Sequence, residues 1–541
     1  MKNAAAVIAL ALLPIGSLAH AQGAADAPSS CLARPDQVCL LAEAFELLQS
    51  NRSPLVASTA AERQYDLEKI VELHASAGRV ADARRVALAI SSKELSRIHA
   101  LRLIGAAQAG VGARQDAVDS FDQAHQLIDA RDREPLGQAG ALLAMAKAEA
   151  GAGLTANAAR SLAESLDLAV RADVNVSGCI SPHLAASLDD LLKALAEEHA
   201  KAGDAANAVR AARATGGASS ARAEALRVTA EARTRKGEVA EARALLREAA
   251  DAAATALSRP PSPNCPKRPS FADHLAYVQQ VSRIAIAQAK AGSADDAAAS
   301  FAAAADAAAG MESSQSSTVE LRRSQAWSEI AEALHAAGLS GPPADAFDRA
   351  VKAADAVDSR FAPTALIRLA RAQHRSGRSD AARATLVRAL GRAHAIYEND
   401  LGATAILNVV DADYEFGLAT TTDGEVNHAL GAARATGGRW LMDLLRRTAQ
   451  IKLRTGKTEE AAALFNVLLQ AVETTEGEKS RSAALAAAIR GRPPREGGTP
   501  VPVGKPLIAA TAQQLVRLTQ SVQDPILRAS ILVMVAEGLS D

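Results

Sequence analysis

The 541-residue chain lacks several features that common binding proteins depend on. It has no surplus of either charge: 60 Lys and Arg face 61 Asp and Glu, for a formal net charge of −1. A nucleic-acid binder needs excess cations to release counterions from phosphate, so the balance argues against that class. Aromatic residues make up 3% of the chain, with 2 Trp, 4 Tyr and 8 Phe, too few for platforms that stack bases or sugars. Past the first residues, no apolar run approaches the roughly 20 residues needed to cross a bilayer. Strand patterns are not evident either. Alanine is abundant instead, at roughly a quarter of all residues, and it favours helix and is depleted in strands. The 49% hydrophobic content therefore overstates the core, because burying alanine is worth little per residue.

The N-terminus reads as an address. Lys2 precedes an apolar run from Ala4 to Leu13, Pro14 and Gly16 break the helix, and Ala19-His20-Ala21 gives a small-x-small cleavage pattern before Gln22. Residues 1–21 are thus expected to be an export signal, with the mature chain periplasmic or secreted. The four cysteines, an even number, suit an oxidising compartment. Cys31 and Cys39 flank the turn-like Arg34-Pro35-Asp36, so a local disulfide is expected. Cys179 and Cys265 each sit in a Pro-containing loop before a helix and form the natural remaining pair, although four cysteines permit three pairings.

Self-similarity organises the rest. The set Gly292, Ala297, Phe301, Ala304 recurs as Gly112, Ala117, Phe121, Ala124. With Leu for Phe it recurs at Gly237, Ala242, Leu246, Ala249 and at Gly377, Ala382, Leu386, Ala389, while Gly456, Ala461, Phe465 repeat its core. A glycine ends one helix, where a left-handed residue costs nothing without a Cβ, and a second amphipathic helix follows. Seven residues before nine of the turn glycines stands a small residue: Gly105, Ala146, Ala196, Ala230, Ala285, Ala331, Ala370, Gly417 or Ala449. Eight before is usually a large apolar one, such as Ile104, Met145, Leu195, Ile284, Ile330, Leu369 or Phe416. A small residue at one helical position lets two axes approach closely.

The fullest unit, Trp327-x2-Ile330-Ala331-x2-Leu334-x3-Gly338 with Phe347 and Ala350, resembles the tetratricopeptide repeat. Pro343 stands where that family has the first alanine of its second helix. The resemblance covers about Ala60 to Val472 and implies an all-α, right-handed α-solenoid of about ten antiparallel helix-turn-helix repeats. The candidate turn glycines are Gly78, Gly112, Gly153, Gly203, Gly237, Gly292, Gly338, Gly377, Gly424 and Gly456. Their spacing is irregular beside the family period of about 34. Ala211-Ala-Arg-Ala-Thr-Gly-Gly217 returns at Ala432 to Gly438, which an internal duplication would explain. The expected organisation is a signal over 1–21, an N-terminal cap segment over 22–59, the repeat array over 60–473, a flexible Gly/Pro/Arg-rich linker over 474–506 with a short helix inside it, and C-terminal capping helices over 507–541 that cover an exposed stack end.

Chemistry-bearing motifs are scarce. No His pair has zincin spacing, and no Gly-rich phosphate loop or nucleophile elbow follows a strand. The nearest metal set, Cys179, His183, Cys265 and His274, is loosely spaced in a compartment that favours a disulfide, so no metal, cofactor or catalytic residue is assigned. Trp327 falls at the large buried position of its unit and reads as core; Trp440, Tyr65 and Tyr277 read as packing or rim residues. In this architecture ligands usually meet the concave face lined by first helices. Counting ten and six residues back from the turn glycine gives Arg102, Lys193, Glu197, Arg227, Glu231, Ser328, Glu332, Arg371, Arg446 and Gln450. The set is mixed in sign and suits a polar peptide, or simply a solvated face with intrahelical pairs such as Lys193/Glu197 and Arg227/Glu231. Some family members grip a C-terminal carboxylate through basic residues joined by Asn, and that Asn is missing here. The sequence thus points to a non-enzymatic protein–protein interaction scaffold of the cell envelope, without nucleic acid or membrane span. An envelope hydrolase using groove acids, or a helical module that works only inside an assembly, are the rival readings.

Overall fold

The computed structural model describes residues 30–33, 35–50, 57–90, 95–129, 135–172, 182–216, 220–258, 271–311, 317–339, 342–396, 399–418, 421, 423–436, 438–490 and 504–539. Among them are 25 α-helices and no strand. In chain order the first are α1 (Ser30–Ala33), α2 (Gln37–Ser50), α3 (Ala57–Ser76), α4 (Val80–Ala89), α5 (Leu95–Gly110), α6 (Arg114–Asp129), α7 (Pro135–Gly151) and α8 (Thr155–Arg171). Then come α9 (Pro182–Lys201), α10 (Ala205–Ala214), α11 (Ser220–Arg235), α12 (Val239–Ser258), α13 (Phe271–Lys290), α14 (Ala294–Ala309), α15 (Ser317–Ala336) and α16 (Pro342–Asp355). The last are α17 (Ala362–Arg375), α18 (Ser379–His394), α19 (Asn399–Phe416), α20 (Asp423–Thr436), α21 (Gly438–Arg454), α22 (Thr458–Glu473), α23 (Glu478–Arg490), α24 (Lys505–Gln520) and α25 (Pro525–Gly538).

From α3/α4 to α21/α22 the helices form ten antiparallel hairpins, an all-α solenoid as the repeat pattern implies. The turns explain themselves locally. Each contains one glycine at positive φ, from 65° at Gly417 to 81° at Gly112. The residue after the glycine donates its N–H to the carbonyl five residues back, as from Arg79 to His74 at 2.8 Å and from Leu154 to Glu149 at 2.8 Å. These bonds satisfy the last carbonyls of the first helix and aim the chain back along it. Inside each hairpin the repeating positions are core. Ala117, Phe121 and Ala124 are fully buried, as are Ala382, Leu386 and Ala389, and Ala146, Ala196, Ala230, Ala285, Ala331, Ala370 and Ala449 from the first helices. The second helix α16 starts on the Pro342-Pro343 pair, where a missing N–H costs nothing.

One turn lies elsewhere than expected. Gly424 sits inside the first turn of α20, and the left-handed residue is Gly417, seven positions earlier. The repeat pattern places Gly417 among the small packing residues, but α19 stops at Phe416. Leu418 N–H bonds to the Asp413 carbonyl at 3.2 Å, and Asp413 Oδ2 accepts from Thr421 N–H at 2.7 Å and Oγ1–H at 2.8 Å. A longer loop replaces the usual one-step turn. With Gly424 out of register, the argument for duplication rests on the shared ends of α10 and α20 alone.

The hairpins stand side by side in two layers. Odd-numbered helices from α3 onward each touch the next odd-numbered one, whereas successive even-numbered helices mostly stand apart, so the odd helices line the concave side. This inner row does not end. It runs through α23 to α25, and α25 packs on α3, closing a circuit of twelve inner helices. The outer place opposite α25 is filled by α2 from the other end of the chain, in a pairing as extensive as an ordinary hairpin. One apolar cluster accordingly contains Leu40, Leu41, Phe45 and Ile70 together with Phe465, Leu515, Ile531 and Val535. The helices beyond 507 therefore complete a ring instead of covering a free end. The stretch from 474 to 506 holds α23, which buries Leu485, Ala488 and Ile489 in the same cluster. Cys31 and Cys39 form a disulfide that ties α1 to α2. Cys179 and Cys265 lie outside the described residues, as does the proposed signal over 1–21.

Within the ten hairpins the tightest glycine is Gly105, where an added Cβ would lie 2.8 Å from the ring of fully buried Phe121. Gly105→Ala should destabilise the fold by about 1–3 kcal/mol through overpacking. Adding Phe121→Leu, the residue other repeats use, should recover much of that loss. Urea unfolding of both variants provides the check; equal instability of single and double mutants would contradict the packing account.

Candidate functional site: the inner wall

Two sets of polar side chains recur. The first is buried and holds hairpins together. Four residues before the turn glycine, Gln108 accepts from Ser120 Oγ at 2.7 Å, Gln288 from Ser300 at 2.8 Å and Gln373 from Thr385 at 2.8 Å. The spacing puts the amide and hydroxyl opposite each other across the two helices, and a buried polar pair of this kind is favourable only when both partners are satisfied. In the α7/α8 hairpin the position is Glu149, fully buried, which accepts from Ser161 Oγ at 2.7 Å. Here α6 contributes His125, with Nε2 3.0 Å from Glu149 Oε1. The residues at the same place in the hairpins preceding Gln288 and Gln373 are Ala250 and Val351. A carboxyl side chain at this position is thus accompanied by an imidazole from the neighbouring hairpin. The hydrogen bond to Glu149 raises the His125 pKa above 6.5 against the opposing effect of burial, and the nearby Asp129 and Glu164 add to the rise.

The second set faces the centre of the ring. Rows nine, six and two residues before the turn glycine carry Glu329 and Glu332 on α15, Arg368, Arg371 and Arg375 on α17, Asn408, Asp411 and Glu415 on α19, and Arg447 and Arg454 on α21, where Gln450 in the same rows is buried. From α15 to α21 successive inner helices therefore alternate between acidic and basic. Their charges bond across the helix boundaries: Arg371 to Glu415 at 2.8 Å, Arg447 to Asp411 at 3.2 Å, Arg454 to the same Asp411, and Arg375 to Glu332 at 3.6 Å. Lys147–Glu198 at 3.6 Å and Lys69–Glu537 at 2.8 Å continue the ladder, the second across the ring closure. Exposed pairs of this kind each contribute at most about 1 kcal/mol. Their main effect here is to set the polarity of the wall.

A cavity of about 240 Å³ opens between α15 and α17, walled by Gln325, Glu329 and Glu332 on one side and Arg368, Arg371 and Arg375 on the other. Arg368 donates to Gln325 Oε1 at 2.8 Å, and Glu329 accepts from Gln279 Nε2 at 3.2 Å. Glu332 has the loosest partner, and burial raises its carboxyl pKa. A larger cavity of about 530 Å³ lies at the ring closure, between the outer helices α22 and α24 and Pro35, away from this wall.

The sequence-derived groove residues separate into three groups. Glu332 and Arg371 line the cavity, and Ser328, although largely buried, also contributes to its lining. Arg227 bridges Glu224 at 2.7 Å and Glu231 at 2.5 Å on its own helix, so that pair is intrahelical as foreseen. Lys193 pairs with Asp190 at 3.8 Å rather than with Glu197. Arg102 lies half-buried with Nη2 2.7 Å from His99 Nδ1. Ser328 and Arg446 are buried within the wall: Ser328 donates to the Ser324 carbonyl at 2.8 Å, and Arg446 binds Asp443 at 3.0 Å and Gln450 at 3.1 Å. The reason is one step of helical register. From α13 to α21 the residue ten before the glycine (Ser282, Ser328, Ile367, Leu407, Arg446) is buried, and the residue nine before faces the ring. Counting by nine would have found Arg283, Glu329, Arg368 and Arg447. Trp327 is core, with the Arg349 guanidinium 4.7 Å over its ring; Tyr277 is half-buried and Tyr65 exposed. The side chains of Trp440 and His183 lie outside the description. Among the described residues no group of three metal-ligating side chains converges, and no helix is long and apolar enough to cross a membrane.

No protein-family model matches the chain, and no curated protein matches it. Solved structures with similar helical arrangements include a circular tandem repeat protein with novel repeat topology, 13% identical over 93% of this chain and 98% of that one, with a TM-score of 0.22. A STAND-class signal-transduction ATPase with a tetratricopeptide-repeat sensor from Pyrococcus horikoshii is 11% identical over 87% of this chain and 69% of its own, with a TM-score of 0.23. Yeast Tom70 is 12% identical over 84% of this chain and 96% of its own, with a TM-score of 0.16.

The His125–Glu149 contact makes a signed prediction. A raised folded-state pKa gives stability that is complete below the unfolded value of 6.5 and is lost as pH climbs through the folded value. The melting-temperature advantage of the native chain over Glu149→Gln should therefore be greater at about pH 5.5 than at about pH 8.5. Thermal melts across that range test it, and an advantage that grows with pH would reverse the assignment.

Proposed function

We propose that this protein is a non-enzymatic interaction scaffold of the cell envelope, exported after loss of its N-terminal signal, and that its inner wall receives a segment of a partner protein. The observation that carries the reading is the alternation of acidic α15 and α19 with basic α17 and α21 on one continuous concave surface. Twelve helices at the usual spacing of about 9 Å leave a central opening on the order of 20 Å, room for one helix of about 10–12 Å with side chains. A partner bearing both signs of charge can exchange wall–wall pairs for wall–partner pairs in one register and meet like charges in the others, so the pattern favours specificity over raw affinity. The Cys31–Cys39 bond is compatible with an oxidising compartment. The hydrolase alternative gains little support: Glu329 and Glu332 lie three residues apart on one helix, and Gln279 and Arg375 already engage them, so they do not flank a scissile bond.

Cross-linking and pull-down from the native envelope fraction, with the tagged full chain as bait, tests the proposal. Reversing the wall with Glu332→Lys and Arg371→Glu should weaken capture of the recovered partner at least about tenfold. Reversing an outer-layer pair with Arg388→Glu and Asp355→Arg should leave capture unchanged. Undiminished capture by a folded inner-wall variant would defeat the reading.

A further inference from the structure

The pair α2/α25 differs from the ten hairpins because no turn joins its helices; they come from opposite ends of the described chain. Helix α2 buries Leu40, Leu41, Ala44, Phe45 and Leu48, and its packing is against α25 far more than against its neighbour in sequence, α3. Two of its polar bonds run the same way, while Arg63 donates to the Leu48 carbonyl at 2.8 Å and Arg79 to Gln37 Oε1 at 2.5 Å. Gln37 Nε2 donates to the Ala536 carbonyl at 3.3 Å, and Glu43 pairs with Arg528. Gln513 Nε2 donates to the Ala33 carbonyl at 3.4 Å, so α1 follows α2 onto the C-terminal helices, and the Cys31–Cys39 bond ties the two into one strap. Ring closure does not depend on the strap alone, since α25 also binds α3 through Lys69–Glu537 and the Ser530–Asp66 hydrogen bond.

We propose that this strap is exchangeable: α1 and α2 of one copy dock on the α25 face of a second copy, and the two rings trade straps reciprocally. The receiving surface is complementary by identity, as the same α25 face and the same Arg528 await the same Leu41, Phe45 and Glu43. A reciprocal exchange of this kind closes on itself with two-fold symmetry. The joint is also held less tightly than its apolar face alone would suggest. Glu43 Oε2 and Arg528 Nε are buried at the contact without hydrogen-bond partners, which leaves part of their desolvation uncompensated. Every other outer helix in the hairpin series is tied covalently to its partner by a glycine turn, whereas α2 is held to α25 by non-covalent contacts only. In the closed monomer the strap competes at an effective concentration of about 1 mM, so exchange is rare in dilute solution and accumulates as protein concentration nears that value.

Two single variants, Glu43→Cys and Arg528→Cys, test this when carried on full chains with different tags. Mixed after folding, at protein concentrations from about 10 μM to about 1 mM, they should give a disulfide-linked heterodimer whose yield rises with concentration. Peptide mapping should find Cys introduced at 43 bonded to Cys introduced at 528. A chain carrying both substitutions serves as the control that the two sites can pair. Sedimentation of the unaltered protein over the same range is the second measurement and should reveal a dimer fraction. Absence of the heterodimer while the control chain cross-links internally, or an unaltered protein that stays monomeric at about 1 mM, overturns the proposal.

Discussion

The close approach of two helices over a small residue is the constraint on which everything else rests. In most hairpins an alanine or glycine seven positions before the turn leaves a hollow, and a phenylalanine or leucine nine positions after the turn fills it. Because alanine buries little area, these units gain little from side-chain bulk and must gain from intimacy of packing. No hairpin of this kind has enough core to stand alone. Each covers one face of its neighbour, and the array is stable only because the chain supplies twelve inner helices whose row returns to its start.

Polar groups then decide how the hairpins are keyed. The Gln–Ser and Gln–Thr pairs fix the relative slide of two helices at one level, where an apolar contact would tolerate slippage. Other hairpins satisfy the same place differently: Arg233 binds Glu238 beside its own turn at 2.9 Å, and Lys452 binds Glu460 on its own second helix and Asp423 on the preceding hairpin, both at 2.8 Å. The position is constant while its chemistry drifts, so a search for repeated residue types passes over it. Along the inner wall the opposite holds, for the residue types are plainly charged and only their exact register decides whether they meet solvent or the core.

The helical class, the number of hairpins and the identity of most turn residues were legible because they depend on local chemistry. Glycine at positive φ, alanine at a crossing and a large apolar residue beside it leave marks at fixed offsets. The Gly417 turn was obscured by Gly424, since two glycines seven apart both satisfy the pattern and only the bonds of Asp413 to Thr421 distinguish them. Half of the wall was legible. Glu332, Arg371 and Ser328 lie at the cavity, whereas Arg446 is buried, because a small rotation of the helices turns the row ten residues back toward the interior. Closure was not legible at all. It depends on Phe45 and Leu48 meeting Ile531 and Val535 across nearly the whole sequence, and no local signal records such a meeting.

That meeting changes how the molecule should lose structure. A linear stack melts from its extremities, where a terminal unit has one neighbour and frays at little cost. Here α3 and α21 lie in the interior of a continuous circuit, each with support on both sides, and no unit is privileged as a starting point for unravelling. The first break must therefore separate two interfaces at once. Cooperativity should accordingly spread around the whole circumference, and amide protons in the first hairpin should exchange as slowly as those midway round.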